Sequence, residues 1–102
     1  MNMNKEEKVV VVGAGLMGTG IAHGFASSGY PTLLVDTNAD SLNRAKDSIE
    51  SILSAGVKLG KVSEESAQAS LARLIICRDL SEAAAGAHWL VETVSEQLAV
   101  KK

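Results

Sequence analysis

The chain has 102 residues, of which 46% are hydrophobic and only 3% aromatic, so it can form at most one domain with an aliphatic core. The formal net charge of −2 argues against nucleic acid or an anionic membrane as a partner, and no segment approaches the ~20 apolar residues of a membrane span. The single cysteine, Cys77, excludes an internal disulfide and, with a polar N-terminus that lacks a signal-peptide core, predicts a cytoplasmic protein.

The first two predicted elements are a buried strand and an amphipathic helix. The apolar run at 8–12, KVVVV, does not alternate with polar residues, which is typical of a strand covered on both faces. Apolar residues then recur at a spacing of four, at Met17, Ile21 and Phe25, and predict the inward face of a helix. Gly29 is a suitable residue to end that helix.

A long helical excursion is predicted between a second strand at 32–36, TLLVD, and a third strand at 73–77, RLIIC. The excursion contains two helices, because an apolar stripe is followed by a short basic connector and then by a new start signal. The apolar stripe of the first helix consists of Leu42, Ala45, Ile49, Ile52 and Leu53. The residues expected to cap or end the two helices are Thr37 or Asn38, Gly56 and Ser63.

The last part of the chain predicts a short helix, a fourth strand and the start of another helix. Asp79 and Glu82 have capping-box spacing, the strand is WLVETV at 89–94, and Ser95 is expected to cap the final helix. Strands that alternate with helices predict right-handed βαβ units and a parallel α/β sheet. In a doubly wound fold the four strands take the order 3-2-1-4 with helices on both faces, which leaves 89–94 as an edge for self-association.

The valines of the first strand run into Gly13, Gly15 and Gly18, which form the pattern G-x-G-x-x-G. In a dinucleotide-binding turn the first glycine allows the tight turn, the second lets the backbone approach a pyrophosphate, and the third lets the helix lie against the strand. The helix N-terminus then offers free N–H groups to the phosphates. The pattern predicts a Rossmann-type dinucleotide site, with a plain glycine-rich turn as the alternative.

An acidic residue, Asp36, ends the second strand near the position expected for the group that binds the adenosine ribose. A carboxylate can accept hydrogen bonds from both ribose hydroxyls, and it repels the 2′-phosphate of NADP. No arginine follows directly, since the next residues are Thr37 and Asn38. These residues favour NAD as the cofactor, leave FAD open, and leave a simple helix cap as the alternative role of Asp36.

Three segments, GAGLMGTGIA, LLVD and VETVSEQLAVKK, together resemble the NAD-binding domain of the L-3-hydroxyacyl-CoA dehydrogenases, which include bacterial 3-hydroxybutyryl-CoA dehydrogenases. The resemblance covers residues 8–102 and departs from the family at Thr93, where alanine is commoner, and at Ser95, where valine or proline is. It implies that residues 1–102 are part of a dinucleotide-binding domain. The family's catalytic His–Glu pair and its helical substrate and dimerisation domain would lie outside this sequence, so neither a catalytic residue nor a metal ligand is expected within it.

The resemblance also implies which residues hold the cofactor. Leu16 and Met17 would contribute backbone contacts to the pyrophosphate, and Asp36 would hold the adenine ribose. The loop after the fourth strand would line the nicotinamide half, where Thr93 and Val94 act through their backbone. The implied cofactor-binding residues are Gly13, Gly15, Leu16, Met17, Gly18, Asp36, Thr93, Val94, Glu96 and Lys101, the last two through their side chains.

The implied activity is hydride transfer from C3 of an L-3-hydroxyacyl-CoA to NAD⁺, which gives the 3-ketoacyl-CoA. An acyl-CoA is therefore the implied substrate. The excursion at 42–71 resembles the arm that contacts coenzyme A in this family, and the nearby candidates on it are Ser51, Lys58 and Lys61. Two alternatives stay open: the NAD domain of a related hydroxyacid or L-gulonate dehydrogenase, and a non-catalytic NAD-binding module.

Four further residues of chemically active types are expected to be structural. His23 lies opposite the apolar helix face and His88 precedes the fourth strand, so both are predicted at the surface. Cys77 lies within an apolar strand and is expected to be inert. Trp89 is expected to pack against the core and not to stack on a base.

Overall fold

A computed structural model gives the structure of the protein and describes residues 6–94 and 97–101, with side chains for residues 6–93. The four predicted strands are confirmed, each to within one residue at either end. The elements in chain order are β1 (Val9–Val12), α1 (Leu16–Ser27), β2 (Thr32–Val35), α2 (Ala39–Lys58), α3 (Glu64–Arg73), β3 (Leu74–Cys77), α4 (Leu80–Ala84), β4 (Trp89–Val94) and β5 (Gln97–Lys101).

The strands form one sheet in the order β3-β2-β1-β4-β5. β1 lies between β2 and β4 and is parallel to both, with Val12 opposite Val35 on one side and opposite Glu92 on the other. β2 is also parallel to β3, with Val35 opposite Cys77. The predicted order 3-2-1-4 of parallel strands is therefore confirmed, and β1 occupies the most protected place in the sheet.

The end of the chain differs from the prediction. β5 is a strand and not the helix expected after Ser95, and it pairs with β4 in an antiparallel register that runs from Leu90 opposite Lys101 to Val94 opposite Gln97. The physical reason is that β4 would otherwise present a row of unpaired N–H and C=O groups, which a neighbouring segment can satisfy. The prediction of a free edge at 89–94 is therefore wrong. Because β5 occupies that edge, the reason to expect self-association through it no longer holds.

Helices cover both faces of the sheet, and the direction of each crossover decides which face. From β1 to β3 the chain moves one way across the sheet, so right-handed connections place α1, α2 and α3 on the same face. The chain then returns past β2 and β1 to β4, and α4 lies on the opposite face. Val9, Val11 and Leu34 accordingly pack with the first three helices, whereas Val10 and Val35 pack with Ala83 of α4.

Two residues that the helical spacing predicts to face inward are exposed. Met17 is 44% exposed in the first turn of α1, where the buried stripe consists of small residues that let the helix lie close to the sheet. Ile52 is 52% exposed, one turn from the fully buried Ile49. The buried residues of α2 are Leu42, Ala45, Ile49 and Leu53, as predicted apart from Ile52.

Gly56 does not end α2, contrary to the prediction, because the helix continues to Lys58. A Cβ atom at Gly56 would lie 3.0 Å from Cγ2 of Val62, so the missing side chain accommodates the chain as it turns towards α3. The left-handed residue beyond the helix is Gly60, with φ of +73°.

Although α2 has 20 residues, no helix in the described part of the chain is both long and apolar enough to span a membrane.

The predicted helix starts are confirmed by side-chain caps. The side chain of Asn38, and not that of Thr37, accepts a hydrogen bond from the Ser41 N–H at 3.1 Å. Ser63 caps α3 and Asp79 caps α4 through equivalent bonds, each of 3.1 Å. These short-range contacts fix where α2, α3 and α4 begin, whereas the parallel pairing of β1 with β2 and with β4 places the ends of these strands side by side.

We expect Ile49→Ala to lower the free energy of unfolding by about 2–5 kcal/mol, because it opens a cavity beneath α2. Ile52→Ala removes the same atoms from the same helix at a largely exposed position and should cost less than about 1 kcal/mol. Urea unfolding followed by circular dichroism measures both. Equal losses in the two variants would mean that α2 packs on the sheet through a different face.

Candidate functional site

The candidate site lies at the carboxyl ends of β1 and β4. These strands are neighbours, yet the chain leaves β1 towards α1 on one face of the sheet and enters β4 from α4 on the other. A reversal of this kind leaves a crevice outside the strand ends, where doubly wound proteins bind their ligands. A groove of about 380 Å³ opens beside it between α1 and α2, and its lining includes Gly15, Thr19 and Arg44.

Gly13 and Gly18 are required by contacts within the protein. Gly13 has φ of +104°, and a Cβ atom there would lie 2.5 Å from the backbone oxygen of Thr93 and would also meet its hydroxyl. A Cβ atom at Gly18 would collide with the carbonyl oxygen of Gly13 and lie 2.9 Å from its carbonyl carbon. The first glycine therefore makes the turn, and the third lets α1 pack against it, as the pattern predicts.

Gly15 has no comparable reason inside the protein to lack a side chain. Its φ of −77° and ψ of −167° are accessible to any residue, and no heavy atom lies within 4 Å of the position that a Cβ would take. A side chain here would instead occupy the open space in front of the loop. This vacant side supports a role in admitting a ligand and disfavours the alternative of a plain glycine-rich turn.

The N-terminus of α1 has the features of an anion-binding helix end. Gly15 is its N-cap residue and provides no side-chain cap, and the first turn contains no acidic residue. The N–H groups of the first three residues of a helix have no acceptor within the helix, and the helix dipole places positive charge there. In this chain those residues are Leu16, Met17 and Gly18, and the exposure of Leu16, at 97%, leaves the turn open.

Asp36 connects the glycine loop to the end of β2. Its Oδ2 accepts the Ala14 N–H at 3.0 Å and its Oδ1 accepts the Asn38 N–H at 2.9 Å. Helix α2 is capped by Asn38, so the alternative in which Asp36 serves only as a cap is wrong. Each carboxylate oxygen can accept a further hydrogen bond. The carboxylate is thus oriented by two backbone donors and still able to accept ribose hydroxyls.

Thr93 fastens the end of β4 to the glycine loop through its side chain. Its hydroxyl lies 2.9 Å from the carbonyl oxygen of Val12 and 3.2 Å from that of Gly13, so it donates to this pair of acceptors. The sequence predicts only a backbone contact for Thr93. No short-range pattern reveals the side-chain role, because it joins residues that are 81 and 80 positions apart.

The remaining predicted cofactor residues lie at the end of the chain. Val94 is the last residue of β4 and pairs with Gln97 of β5. The backbone of Lys101 lies opposite Leu90, three residues before Thr93 along β4, and its side chain is not among those described. Glu96 lies outside the described residues. The contacts of Val94, Glu96 and Lys101 with the nicotinamide half stay predictions.

The candidate coenzyme A contacts are only partly brought together. Ser51 and Lys58 lie two turns apart on the exposed face of α2 and line one open groove of about 510 Å³. Lys61 lies instead beside Leu59 on a separate, more apolar groove between α1 and the turn after α2. The first two residues therefore share a surface, and the third does not.

Of the other residues of chemically active types, His88 and Trp89 make hydrogen bonds within the protein, whereas His23 lines a groove. His23 is half-buried in the groove between α1 and α2, which is less exposed than predicted, whereas His88 is exposed and its Nδ1 accepts the Lys8 N–H at 3.0 Å. Trp89 packs against the core, and its Nε1–H donates to a carboxylate oxygen of Glu7 at 2.9 Å. Among the described residues, no group of three or more His, Cys, Asp or Glu side chains is placed to hold a metal ion.

Comparison with known proteins identifies the family of the domain. Residues 8–102 match the family model described as 3-hydroxyacyl-CoA dehydrogenase, NAD binding domain. The chain is 43% identical over 96 residues to 3-hydroxyadipyl-CoA dehydrogenase of Escherichia coli K12, and 35% identical over 96 residues to 3-hydroxybutyryl-CoA dehydrogenase of Bradyrhizobium diazoefficiens. These alignments cover 94% of this chain but only 20% and 32% of the two relatives, so the chain spans a fifth to a third of their length.

Solved structures agree with the sequence relatives. The crystal structure of 3-hydroxybutyryl-CoA dehydrogenase from Escherichia coli K12 superposes on this chain with a TM-score of 0.85 at 40% identity. The superposition covers 93% of this chain and 20% of the dehydrogenase chain. The crystal structure of FadB2 from M. tuberculosis superposes with a TM-score of 0.84 at 29% identity. That superposition covers 92% of this chain and 33% of the FadB2 chain. The fold of the described domain is thus that of the nucleotide-binding part of these proteins.

Gly15→Val should abolish detectable NAD binding while the domain stays folded, because its side chain would enter the open space in front of the loop and meet no protein atom. Gly24→Ala is the matched control, since Gly24 also lies on α1 with open space around it but is two turns further from the loop. Isothermal titration calorimetry with NAD and thermal unfolding measure the two effects. Normal NAD binding by Gly15→Val would show that the open side of the loop is not where the ligand lies.

Thr93→Val keeps the shape of the side chain but removes its hydroxyl. We expect a loss of about 1 kcal/mol in the free energy of unfolding and a several-fold weaker affinity for NAD, because the carbonyl groups of Val12 and Gly13 lose their donor. Thr93→Ser keeps the hydroxyl and should bind NAD like the unsubstituted chain. An equal loss in both variants would assign the effect to packing and not to the hydrogen bond.

Proposed function

We propose that the chain supplies the NAD site of an enzyme that oxidises L-3-hydroxyacyl-CoA to 3-ketoacyl-CoA. The basis is that the chain belongs to the 3-hydroxyacyl-CoA dehydrogenase family by its NAD-binding domain. NAD is the cofactor that this domain family binds. The relatives are named for two substrates, 3-hydroxyadipyl-CoA and 3-hydroxybutyryl-CoA. The substrate class proposed here is the feature that those names share, a 3-hydroxyacyl thioester of coenzyme A.

The observation that carries the proposal is the arrangement of Asp36, Ala14 and Gly15. Asp36 is held by the N–H of Ala14 at 3.0 Å, so the ribose acceptor and the glycine loop are fixed with respect to each other. Beyond Ala14, the side of Gly15 facing out of the loop is open, and a Cβ would fill it. A pyrophosphate can therefore lie on the N-terminus of α1 while an adjoining ribose reaches Asp36, which is the spacing that a dinucleotide needs.

Each end of the site would contribute in a different way to the reaction. When bound, NAD⁺ would supply the acceptor for the hydride from C3 of the substrate. Asp36 would bind the ribose hydroxyls, and the first turn of α1 would neutralise the pyrophosphate charge. Thr93 would keep the end of β4 against the glycine loop, so the crevice between β1 and β4 keeps its width while the nicotinamide half is held there.

The other parts of the proposal concern the enzyme beyond this chain. The relatives are three to five times longer than the aligned segment, and we propose that the groups that grip the acyl chain and take the hydroxyl proton belong to the remainder of such an enzyme. Ser51 and Lys58 are candidates for contact with coenzyme A, because they share one exposed face of α2. A cytoplasmic location stays a prediction from composition and from the single cysteine.

Asp36→Asn tests the cofactor assignment. The unsubstituted chain should bind NAD more tightly than NADP, because the carboxylate accepts the ribose hydroxyls and repels a 2′-phosphate. Removal of the charge should weaken NAD binding by about 1.5–3 kcal/mol, the value of hydrogen bonds to a charged group, and should narrow the preference for NAD over NADP.

Calorimetric titration of both cofactors measures this preference. Asp40→Asn makes the same chemical change at an exposed position four residues away and should leave both affinities unchanged. Equal or tighter binding of NADP by the unsubstituted chain would contradict the cofactor assignment.

A further inference from the structure

Arg78 lies beside Asp36 at the edge of the candidate site, although neither the glycine pattern nor the family comparison points to it. It follows β3 directly, and β3 pairs with β2 in parallel with Cys77 opposite Val35. The N–H of Asp36 also donates to the carbonyl oxygen of Cys77 at 3.2 Å. Asp36 directly follows Val35 and Arg78 directly follows Cys77, so the two residues lie side by side where the strands end.

The guanidinium group of Arg78 is held over the turn that follows β2. Its Nε–H donates to the carbonyl oxygen of Thr37 at 3.2 Å, and Thr37 is the residue directly after Asp36. The side chain is exposed, and within the described residues its two terminal nitrogens make no hydrogen bond or ion pair with the protein. One nitrogen anchors the group, and its planar face and remaining donors are available to a ligand.

The geometry of a dinucleotide determines which part of it would meet Arg78, provided that the proposed function is correct. The ribose hydroxyls would lie on Asp36 above β2, and the 5′-pyrophosphate would run from that ribose to α1 above β1. The base is attached at C1′ and the 5′ carbon at C4′, on either side of the ring oxygen, so a base whose 5′ carbon points to β1 would extend away from β1. In the order β3-β2-β1 this direction leads to the end of β3, where Arg78 lies.

We propose that Arg78 covers the adenine ring of NAD with its guanidinium plane and so determines a large part of the affinity for the adenosine half. A guanidinium group is flat, weakly hydrated and permanently charged, and it stacks readily on aromatic faces. The bond to Thr37 holds the group in place before the ligand arrives, so less rotamer freedom is lost on binding.

Recognition of a 2′-phosphate is the less favoured role for the same side chain. Such a phosphate would be attached to the very ribose that Asp36 holds, so the negative charge of the carboxylate would face it. The two carboxylate oxygens each accept a backbone N–H, which keeps the group ordered at that place. The adenine ring carries no charge and meets no such repulsion.

The test compares Arg78→Ala and Arg78→Lys with the unsubstituted chain in calorimetric titrations of NAD, ADP-ribose and NADP. Arg78→Ala should weaken the binding of NAD and of ADP-ribose by the same factor, about five- to thirty-fold. Arg78→Lys keeps the charge but not the plane and should recover only a small part of the affinity. Lys46→Ala removes one positive charge from an exposed position on α2 and should change neither affinity.

The outcomes separate this proposal from the function on which it rests. If the unsubstituted chain binds neither NAD nor ADP-ribose, both proposals are overturned. If it binds both but Arg78→Ala binds them equally well at an unchanged melting temperature, only the role of Arg78 is overturned. Loss of NADP binding alone, or full recovery in Arg78→Lys, would make Arg78 a partner of phosphate charge and would also overturn the stacking role.

Discussion

The turn after β1 can bring the N-terminus of α1 against the end of β4 only because two of its glycines lack side chains. A side chain at Gly13 would meet Thr93, and a side chain at Gly18 would meet the carbonyl group of Gly13. In the space that they leave, the Thr93 hydroxyl bonds to the carbonyl oxygens of Val12 and Gly13. The position of the helix end, the width of the crevice and the exposure of Gly15 all follow from this close approach.

The second connection in the site runs the other way across the sheet, from the glycine loop to β2. Asp36 accepts an N–H from the loop, and its neighbour Thr37 accepts one from Arg78. Residues from three parallel strands are thereby linked at one edge, in the order in which the adenine, the ribose and the pyrophosphate of a bound dinucleotide would cross them. The family relationship extends over residues 8–102, which include this edge, and the chain spans a fifth to a third of the length of the relatives.

The features that the sequence predicted are those with a local cause. Buried strands such as 9–12 show as unbroken apolar runs, and caps such as Asn38 and Asp79 act within three residues of themselves. The spacing of Met17 and Ile52 is helical, but the exact face that a helix buries depends on how closely it approaches the sheet, which their spacing does not encode. The roles of Thr93 and Arg78 depend on pairing between strands far apart in sequence, so only the folded chain reveals them.

The central place of β1 has a consequence for local unfolding. Val9, Val10 and Val11 have no exposed surface, and the strand is hydrogen-bonded on both sides. Amide groups in such a strand exchange their hydrogens with solvent only when the whole domain opens, whereas short peripheral elements exchange through smaller openings. The glycine loop follows this strand directly. Helix α4, with only five residues, is an example of a short peripheral element. We therefore expect the glycine loop to be attached to the part of the molecule that opens last, so that fraying of the outer helices leaves its attachment in place.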